Sequence, residues 1–445
     1  MPKKLNRLDI LSIVLGSIIG WGSFTLPGVK FLQEAGVINT AIGLALGGLA
    51  IIFIQQGYHI MMKKHGIEGG EFSYTYKAMG KAHGFTAGWA LMLCYLSIVP
   101  LNATAFVLVL KILFGSVLEW VYLYEIAGYP IYLSEVIIAS LVILTFAFVN
   151  IQGLKQSARV QNTMVLLLII NVVIVFVAMI FSGSTEPTIF VDNYIADYAF
   201  SFSEVAKILA IIPFLFVGFD VIPQVAADMN FKPEKATRIA IYSIIAGVVI
   251  YNLLNIVTSI AYEAQAAAEL DWALGSAVVE NIGMIMFLLL VIALTTAVSG
   301  GINGFMIGSS KLLASITSYG MFPEKYQEKN KNGVYANSIK FVTAISLIAP
   351  WIGREVIIYI VDMASLLAAV AYFYTCYIGI RKAEGNREKY LSMTGALISI
   401  SFMLLLLVPG SPGQLSTPSM IFMIFWAIAG YLYFKKYARY ASESR

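Results

Sequence analysis

Apolar residues in this chain arrive in long runs separated by short polar stretches. Each run is close to the ~20 residues a helix needs to cross ~30 Å of hydrocarbon. The runs fall near 9–33, 38–62, 84–116, 131–150, 160–182, 201–228, 238–262, 277–314, 337–353, 355–380, 391–409 and 416–434, which predicts twelve transmembrane helices in an all-α polytopic protein. Two runs are interrupted. Ile13-Val-Leu-Gly16-Ser-Ile-Ile-Gly20-Trp-Gly22-Ser-Phe-Thr-Leu-Pro27-Gly28 carries four glycines and a proline, and Ile211-Ile-Pro213-Phe-Leu-Phe-Val-Gly218-Phe-Asp220-Val-Ile-Pro223 carries Pro, Gly and an acid. Gly and Pro weaken a continuous helix. In hydrocarbon a backbone group without a partner costs several kcal/mol, so such a break persists only where protein, water or a ligand satisfies it.

Composition agrees with a membrane protein. The chain is 59% hydrophobic and 12% charged, with a mean hydropathy of +0.81, where soluble domains carry about 25% charged residues. The charged start, Lys3, Lys4 and Arg7, leads into an apolar run without a small-residue cleavage site, so the first helix is expected to stay. With the N terminus on the cytoplasmic side, all but Lys30, Lys111, Lys207 and Arg354 of the 29 Lys and Arg residues fall in cytoplasmic segments or at helix ends bordering them. That bias orients membrane proteins and predicts both termini in the cytoplasm. Glu186, Asp192 and Asp197 crowd one external loop, and Glu263, Glu269, Asp271 and Glu280 another, as solvated loop charges. Cys94 and Cys376 lie in apolar spans and read as small buried hydrophobes. The net charge of +4 carries no nucleic-acid implication, because Lys and Arg distribute by membrane side.

The broken runs are the first and the sixth. Paired interruptions in corresponding halves point to the binding site of a secondary transporter. The alternative is a small-residue packing face, since Gly16 and Gly20 form a G-x-x-x-G. Their spacing, five spans apart, suggests two five-helix repeats of inverted topology, near 9–182 and 201–380, with two further helices over 391–434, in a single domain spanning 1–445.

Several segments resemble a known family. Gly16-Ser-Ile-Ile-Gly20-Trp-Gly-Ser-Phe-Thr-Leu-Pro27-Gly28 resembles the first-helix signature of the amino acid/polyamine/organocation (APC) transporters. So do Glu68-Gly-Gly-Glu-Phe-Ser-Tyr-Thr-Tyr76 with Gly84-Phe-Thr-Ala-Gly-Trp89, and Asn150-Ile-Gln-Gly153-Leu-Lys-Gln-Ser157-Ala-Arg-Val160. Phe214-Leu-Phe-Val-Gly-Phe-Asp220 with Ala226-Ala-Asp228-Met-Asn-Phe-Lys232-Pro233 is similar to the family's sixth helix and the loop after it, and Gly308-Ser-Ser-Lys311 to a turn of its eighth. The resemblance covers about residues 8–385 and implies a LeuT-like fold and secondary transport of amino acids or related amines across the plasma membrane. Freed N–H groups at Gly20, Trp21 and Gly22, flanked by Ile19 and the Ser23 hydroxyl, suit a carboxylate. Freed carbonyls of Phe216, Val217 and Gly218 suit an ammonium group. The Ser23 hydroxyl can equally bond back to its own helix.

Departures from the family pattern matter too. Position 21 is usually small there and is Trp here; the indole either shrinks or gates the pocket, stacks on a substrate ring or cation, or turns away into helix packing. Phe214 matches a gating aromatic, and Phe216 and Phe219 are expected to divide between pocket wall and core. Asp220 and Asp362 are candidates for a proton or cation in coupling, because an acid inside an apolar helix is costly and marks function. Some proton-coupled relatives carry a fifth-helix Lys that mimics sodium beside the first helix; here that place falls on Leu168. That leaves Na+, with Thr295, Thr296 or Ser299 as oxygen donors, or exchange without an ion; those hydroxyls can also serve as helix–helix glue. No cofactor is expected beyond a coupling Na+ or H+, and the partners are a small amino acid or amine and the bilayer. No Walker loop, dinucleotide fingerprint or nucleophile elbow is present, so an enzyme is not expected. Besides an amino acid carrier, a carrier of small amines and a transport-dead sensor of the same fold remain open.

Overall fold

The computed structural model describes residues 4–126, 128–182, 187–196 and 198–443. Lys3, Glu186, Asp197 and Arg445, all placed by charge above, lie outside the described residues.

The first span opens with α1, Arg7–Ile18, under a reciprocal cap. Asn6 Oδ1 accepts from the Asp9 N–H at 2.9 Å and Asp9 Oδ2 accepts from the Asn6 N–H at 2.7 Å, which satisfies two N–H groups that a helix start leaves open. The helix stops at Ile19, where φ −94° and ψ 102° are extended. It restarts as α2, Gly22–Ala35, bent by 44° from α1. α2 is wound as a π-turn over Pro27–Phe31, where a proline without an N–H lets the ladder slip. The following helices are α3, Ile38–Lys64, the connector α4, Gly70–Met79, α5, Lys81–Phe114, α6, Leu133–Ile151, and α7, Leu154–Phe181. The short α8, Pro187–Tyr194, precedes the second broken span, made of α9, Phe202–Phe216, and α10, Val221–Gln224. After these come α11, Ala236–Ala261, the short α12, Ala264–Glu269, and α13, Ala273–Ile282, and α14, Met284–Ser318. The chain ends with α15, Ala336–Ile348, α16, Arg354–Asp362, α17, Ala364–Lys382, α18, Asn386–Leu407, and α19, Thr417–Glu443.

Among the described residues, ten helical stretches are long and apolar enough to cross a membrane, and the bent α1–α2 pair makes eleven. The expected run 337–353 is helical over Ala336–Ile352 but shorter than those, so length and composition give ten or eleven spans where twelve were expected. A second correction is small: between the third and fourth runs, Tyr122–Ile126 and Tyr129–Tyr132 pair as an antiparallel hairpin, β1 and β2. The fold is otherwise helical, as the apolar pattern predicted.

Burial orders the bundle around the broken spans. α14 packs on α1, α5 and α7, and α3 packs on α9, α11, α17 and α18. α19 is peripheral, with 11% of its apolar window buried. It is held to α5 by Trp89 and Trp426, whose rings stack at 4.3 Å and whose indole N–H groups each donate to the other's carbonyl at 2.9 and 3.1 Å. Cys94 and Cys376 are free and buried.

Candidate functional site

The two breaks meet. Gly218, between α9 and α10, has φ +123° and lies against the end of α1: a Cβ there would fall 2.6 Å from Ser17 Cβ and 3.0 Å from the Ile18 backbone nitrogen. Both the positive φ and the contact exclude a side chain. Tyr251 of α11 closes the junction from behind, its hydroxyl 3.2 Å from Ile18 O and 3.2 Å from Leu215 O. A carbonyl next to each helix end thus has one shared donor.

The two sides differ in what they leave open. At the first break the Trp21 N–H points to Asn102 Oδ1 of α5 over a long 3.4 Å, and the N–H groups of Gly20 and Gly22 have no partner among the described residues. Gly20, Trp21, Gly22 and Phe214 are only partly buried, whereas Ile19, Ser23, Phe216, Val217 and Phe219 are buried. The Ser23 hydroxyl donates to Gly20 O at 2.6 Å, the back-bonding option weighed above, so in this arrangement its proton is not available to a carboxylate. The Trp21 indole lies beneath the Arg354 guanidinium, whose central carbon sits 4.3 Å from the ring centroid. Arg354 is itself 4% exposed and donates to Leu101 O at 3.2 Å and Thr104 Oγ1 at 2.9 Å. Trp21 therefore faces α16 and α5, under an arginine that charge counting assigned to an external loop.

Phe216 packs on Tyr251, with centroids 6.0 Å apart. Phe219 packs against both Tyr58 and Tyr372, with centroids 5.3 and 5.2 Å away. Asp220 is fully buried and accepts from the Gly218 N–H at 2.7 Å, which holds the loop between α9 and α10. Close by, Glu71 of the connector α4 is fully buried and accepts from Gln224 Nε2 at 2.8 Å. Burial pushes the Glu71 carboxyl well above the ordinary carboxylate range, and Asp220 adds to the shift. Asp362, by contrast, ends α16 with an exposed side chain.

Beside α1, seven residues before the Leu168 position assigned to the absent lysine, the structure holds an amide. Gln161 of α7 donates through Nε2 to Gly300 O of α14 at 3.2 Å, and a Cβ on Gly16 would fall 2.0 Å from that nitrogen. Asn303 Nδ2 donates to Gln161 Oε1 at 2.8 Å, and Asn303 Oδ1 accepts from Asn150 and Ser157 at 2.8 Å each. Leu168 is buried one helix stretch further along. Of the hydroxyls weighed for sodium, Thr296 donates to Ile292 O and Ala293 O of its own helix at 3.0 and 2.9 Å, and Ser299 is 7% exposed.

At the lysine-rich end the broken spans are tied together. The Leu5 N–H donates to Asp228 O at 2.8 Å and the Asn230 N–H to Leu5 O at 2.9 Å, joining the residues before α1 to those after α10. Lys311 bridges Glu68 at 2.9 Å and also pairs with Asp228, while the Tyr335 hydroxyl donates to Glu68. Burial alone would raise the Glu68 carboxyl, but Lys311, the Tyr335 bond and Lys329 hold it below the usual carboxylate range. Asp9 pairs with Lys155 and accepts from Asn162 at 3.1 Å.

The profile for the amino acid permease family matches residues 5–432, nearly the whole chain. The chain belongs to the amino acid permease family. It is an APC superfamily transporter and a multi-pass membrane protein. It is similar to the branched-chain amino acid permease BcaP of Bacillus subtilis, 22% identical over 100% of this chain and 94% of that one. It is also similar to the serine/threonine exchanger SteT of Bacillus subtilis, 22% identical over 88% and 86% of the two chains. The methylthioribose transporter of the same organism is 26% identical, over 55% of this chain and 52% of that one. The permease residues that sequence reasoning gave no role are Tyr251, Asn102, Glu71 and Arg354; the signal for Tyr251 and Asn102 was a polar group inside an apolar run.

Proposed function

We propose that this permease is a secondary active transporter, a permease or exchanger, that moves amino acids across the plasma membrane by alternating access, with both termini cytoplasmic. The observation that carries the proposal is the contact between the two breaks at Gly218, Ser17 and Ile18. The N–H groups of Gly20, Trp21 and Gly22 follow that contact by a few residues on one span, and the Phe216–Gly218 backbone leads into it on the other. Main-chain dipoles of opposite sign, a short distance apart in a site without bulk water, match the carboxylate and ammonium ends of an α-amino acid. Trp21 takes up room beside those N–H groups, which favours a small neutral side chain, and Phe214 covers the solute from the α9 side. The twelve-span plan, two inverted five-helix repeats over about 9–182 and 201–380 with two helices after them, belongs to the same proposal, with Ala336–Ile352 as its short ninth span. Asp220 and Asp362 are its proton or cation candidates, and Thr295, Thr296 and Ser299 its sodium candidates.

The test is exchange of labelled leucine, serine and threonine into liposomes holding the purified protein. Counterflow of at least one of them is expected, and Gly22→Trp or Gly218→Trp should abolish it. Stabilisation by an amino acid with no flux would make the protein a sensor instead. Binding of an amine that lacks a carboxylate, with steep dependence on Asp220, would move the substrate class to organocations.

A further inference from the structure

Two buried carboxylates in this bundle come from different elements, and each is only half satisfied. Glu71 Oε2 accepts from Gln224 at 2.8 Å and Asp220 Oδ1 from the Gly218 N–H at 2.7 Å. The second oxygen of each, Glu71 Oε1 and Asp220 Oδ2, is buried without a well-aligned donor among the described residues. Three tyrosines from three further helices end at the same place: Tyr58 of α3, Tyr95 of α5 and Tyr372 of α17, all fully buried, with hydroxyls that make no well-aligned hydrogen bond among the described residues. The Tyr58 hydroxyl faces Glu71 and the Tyr95 hydroxyl faces Asp220. The rings of Tyr58 and Tyr372 meet edge to face at 6.2 Å, and both pack on Phe219. The other titratable groups that bear on the pair are Tyr74 of α4 and Cys94 of α5. Tyr and Cys groups are neutral near pH 7.

Two acids and three hydroxyls thus place five oxygens without a well-aligned hydrogen bond in one buried region of the bundle. Two ionised carboxylates buried side by side without a cation are strongly disfavoured. One added proton turns the pair into an acid and a carboxylate, removes the like-charge repulsion and supplies a donor for a free oxygen.

We propose that Glu71 and Asp220 form a two-carboxylate site that takes up one proton, with the hydroxyls of Tyr58, Tyr95 and Tyr372 completing its hydrogen bonds. The step makes one O–H bond on one carboxylate, and the proton comes from water on the lysine-rich side. No electron moves. The role of that proton as the coupling ion rests on the transport reading above; the site itself does not. Because Glu71 lies on the connector α4 and Asp220 between α9 and α10, protonation joins a loop helix to the second break, so the charge state of the pair bears on whether those elements separate.

The test is infrared difference spectroscopy of the full-length protein in liposomes, titrated with pH. The carboxylic acid C=O stretch should be present at pH 7 and disappear at higher pH. Glu71→Gln and Asp220→Asn each remove the like charge, so the remaining carboxyl should ionise at least about one pH unit lower, and the double variant should lack the band. Asp220→Glu keeps a carboxyl and should keep the band, which preserves the test if Asp220→Asn does not fold. No such band at pH 7, or an unmoved transition in both single variants, would overturn the proposal. So would a band lost when choline is replaced by Na+, which would make the pair a cation site. Leucine counterflow run on the same liposomes separates the two claims: a band that behaves as expected with no flux keeps the proton site and removes the transport reading, while flux without the band does the reverse.

Discussion

The breaks in the first and sixth spans touch at Gly218 and Ser17, yet the two are built differently. The first keeps N–H groups at Gly20 and Gly22 that have no partner among the described residues and a partly open side chain at Trp21, with Phe214 of α9 partly open across from it. The second is sealed: Phe216, Val217 and Phe219 are buried, and Asp220 accepts the Gly218 N–H. On the transport reading proposed above, the difference gives the breaks different loads. The first offers N–H donors to the carboxylate end of the solute, and the second, locked by a buried acid and a glycine pressed on α1, offers carbonyls to the ammonium end and acts as the hinge. The largest effect should therefore come from filling the sealed side. Gly218→Ala would add a Cβ at 2.6 Å from Ser17 Cβ in a backbone with φ +123°. The strained backbone alone costs about 1–3 kcal/mol and overpacking about 1–3 kcal/mol more. Counterflow should fall to background and the melting temperature should drop by several degrees. A variant that melts and transports like the parent would show that the breaks do not press on each other.

Next in size is the cover of the open break. Arg354→Gln removes the guanidinium at 4.3 Å from the Trp21 ring, an interaction worth about 0.5–2 kcal/mol, and weakens the bonds to Leu101 O and Thr104. Melting should fall by about 1–3 kcal/mol in free-energy terms. Arg354→Lys should recover only part of it, because a point charge does not reproduce a planar fork. Equal melting of Arg354→Gln and the parent would mean that the stack over Trp21 contributes nothing.

The junction behind both breaks is smaller. Tyr251→Phe keeps the ring packed on Phe216 but leaves Ile18 O and Leu215 O without their 3.2 Å donor. Removing one partner of a buried carbonyl costs about 1–3 kcal/mol. Since the hydroxyl serves a carbonyl from each broken span, exchange rates should change more than substrate affinity does. A drop in affinity at an unchanged rate would place Tyr251 in the pocket instead.

Much of this plan was legible in the chain. Helix positions followed from apolar run length, because hydrocarbon leaves little other choice, and the breaks followed from Gly20, Gly22, Pro213 and Gly218. The illegible part is long-range. Nothing near Glu71 in the sequence announces that it lies beside Asp220, because their meeting depends on how a connector helix docks under the sixth span. Arg354 reads as a loop charge until α16 carries it over Trp21. Gln161 sits between Gly16 and Gly300 because those two glycines leave space there, a pairing that one-dimensional pattern cannot reveal. The run at 337–353 was readable as apolar, but its helix, Ala336–Ile352, is shorter than the spans.

Acid should probe the tie between the broken spans at their lysine-rich end. Glu68 is held below the ordinary carboxylate range despite its burial, by Lys311, Tyr335 and Lys329. A carboxylate whose folded value is depressed contributes stability above its unfolded value, and that contribution is lost as pH falls through the folded one. The parent should therefore lose melting temperature more steeply than Glu68→Gln once pH drops below about 4. Parallel curves would mean that the Glu68 pair does not hold the N-terminal segment, Asp228 and α14 together.

The smallest effect should come from a methyl group at the open break, and it sharpens the contrast with Gly218. Gly22→Ala would place a Cβ 3.3 Å from Leu26 Cδ1 and 4.0 Å from the Phe214 ring. Gly22 has no positive φ, and the nearest atom is the end of a flexible side chain. Ala is also a better helix former than Gly by about 0.5–1 kcal/mol. Melting should stay within about 0.5 kcal/mol of the parent or rise slightly, while counterflow of the larger solutes, leucine before serine, should slow because the methyl narrows the space beside the free N–H groups. If Gly22→Ala destabilised as strongly as Gly218→Ala, or slowed serine as much as leucine, the division into an open solute-facing break and a sealed hinge would not hold.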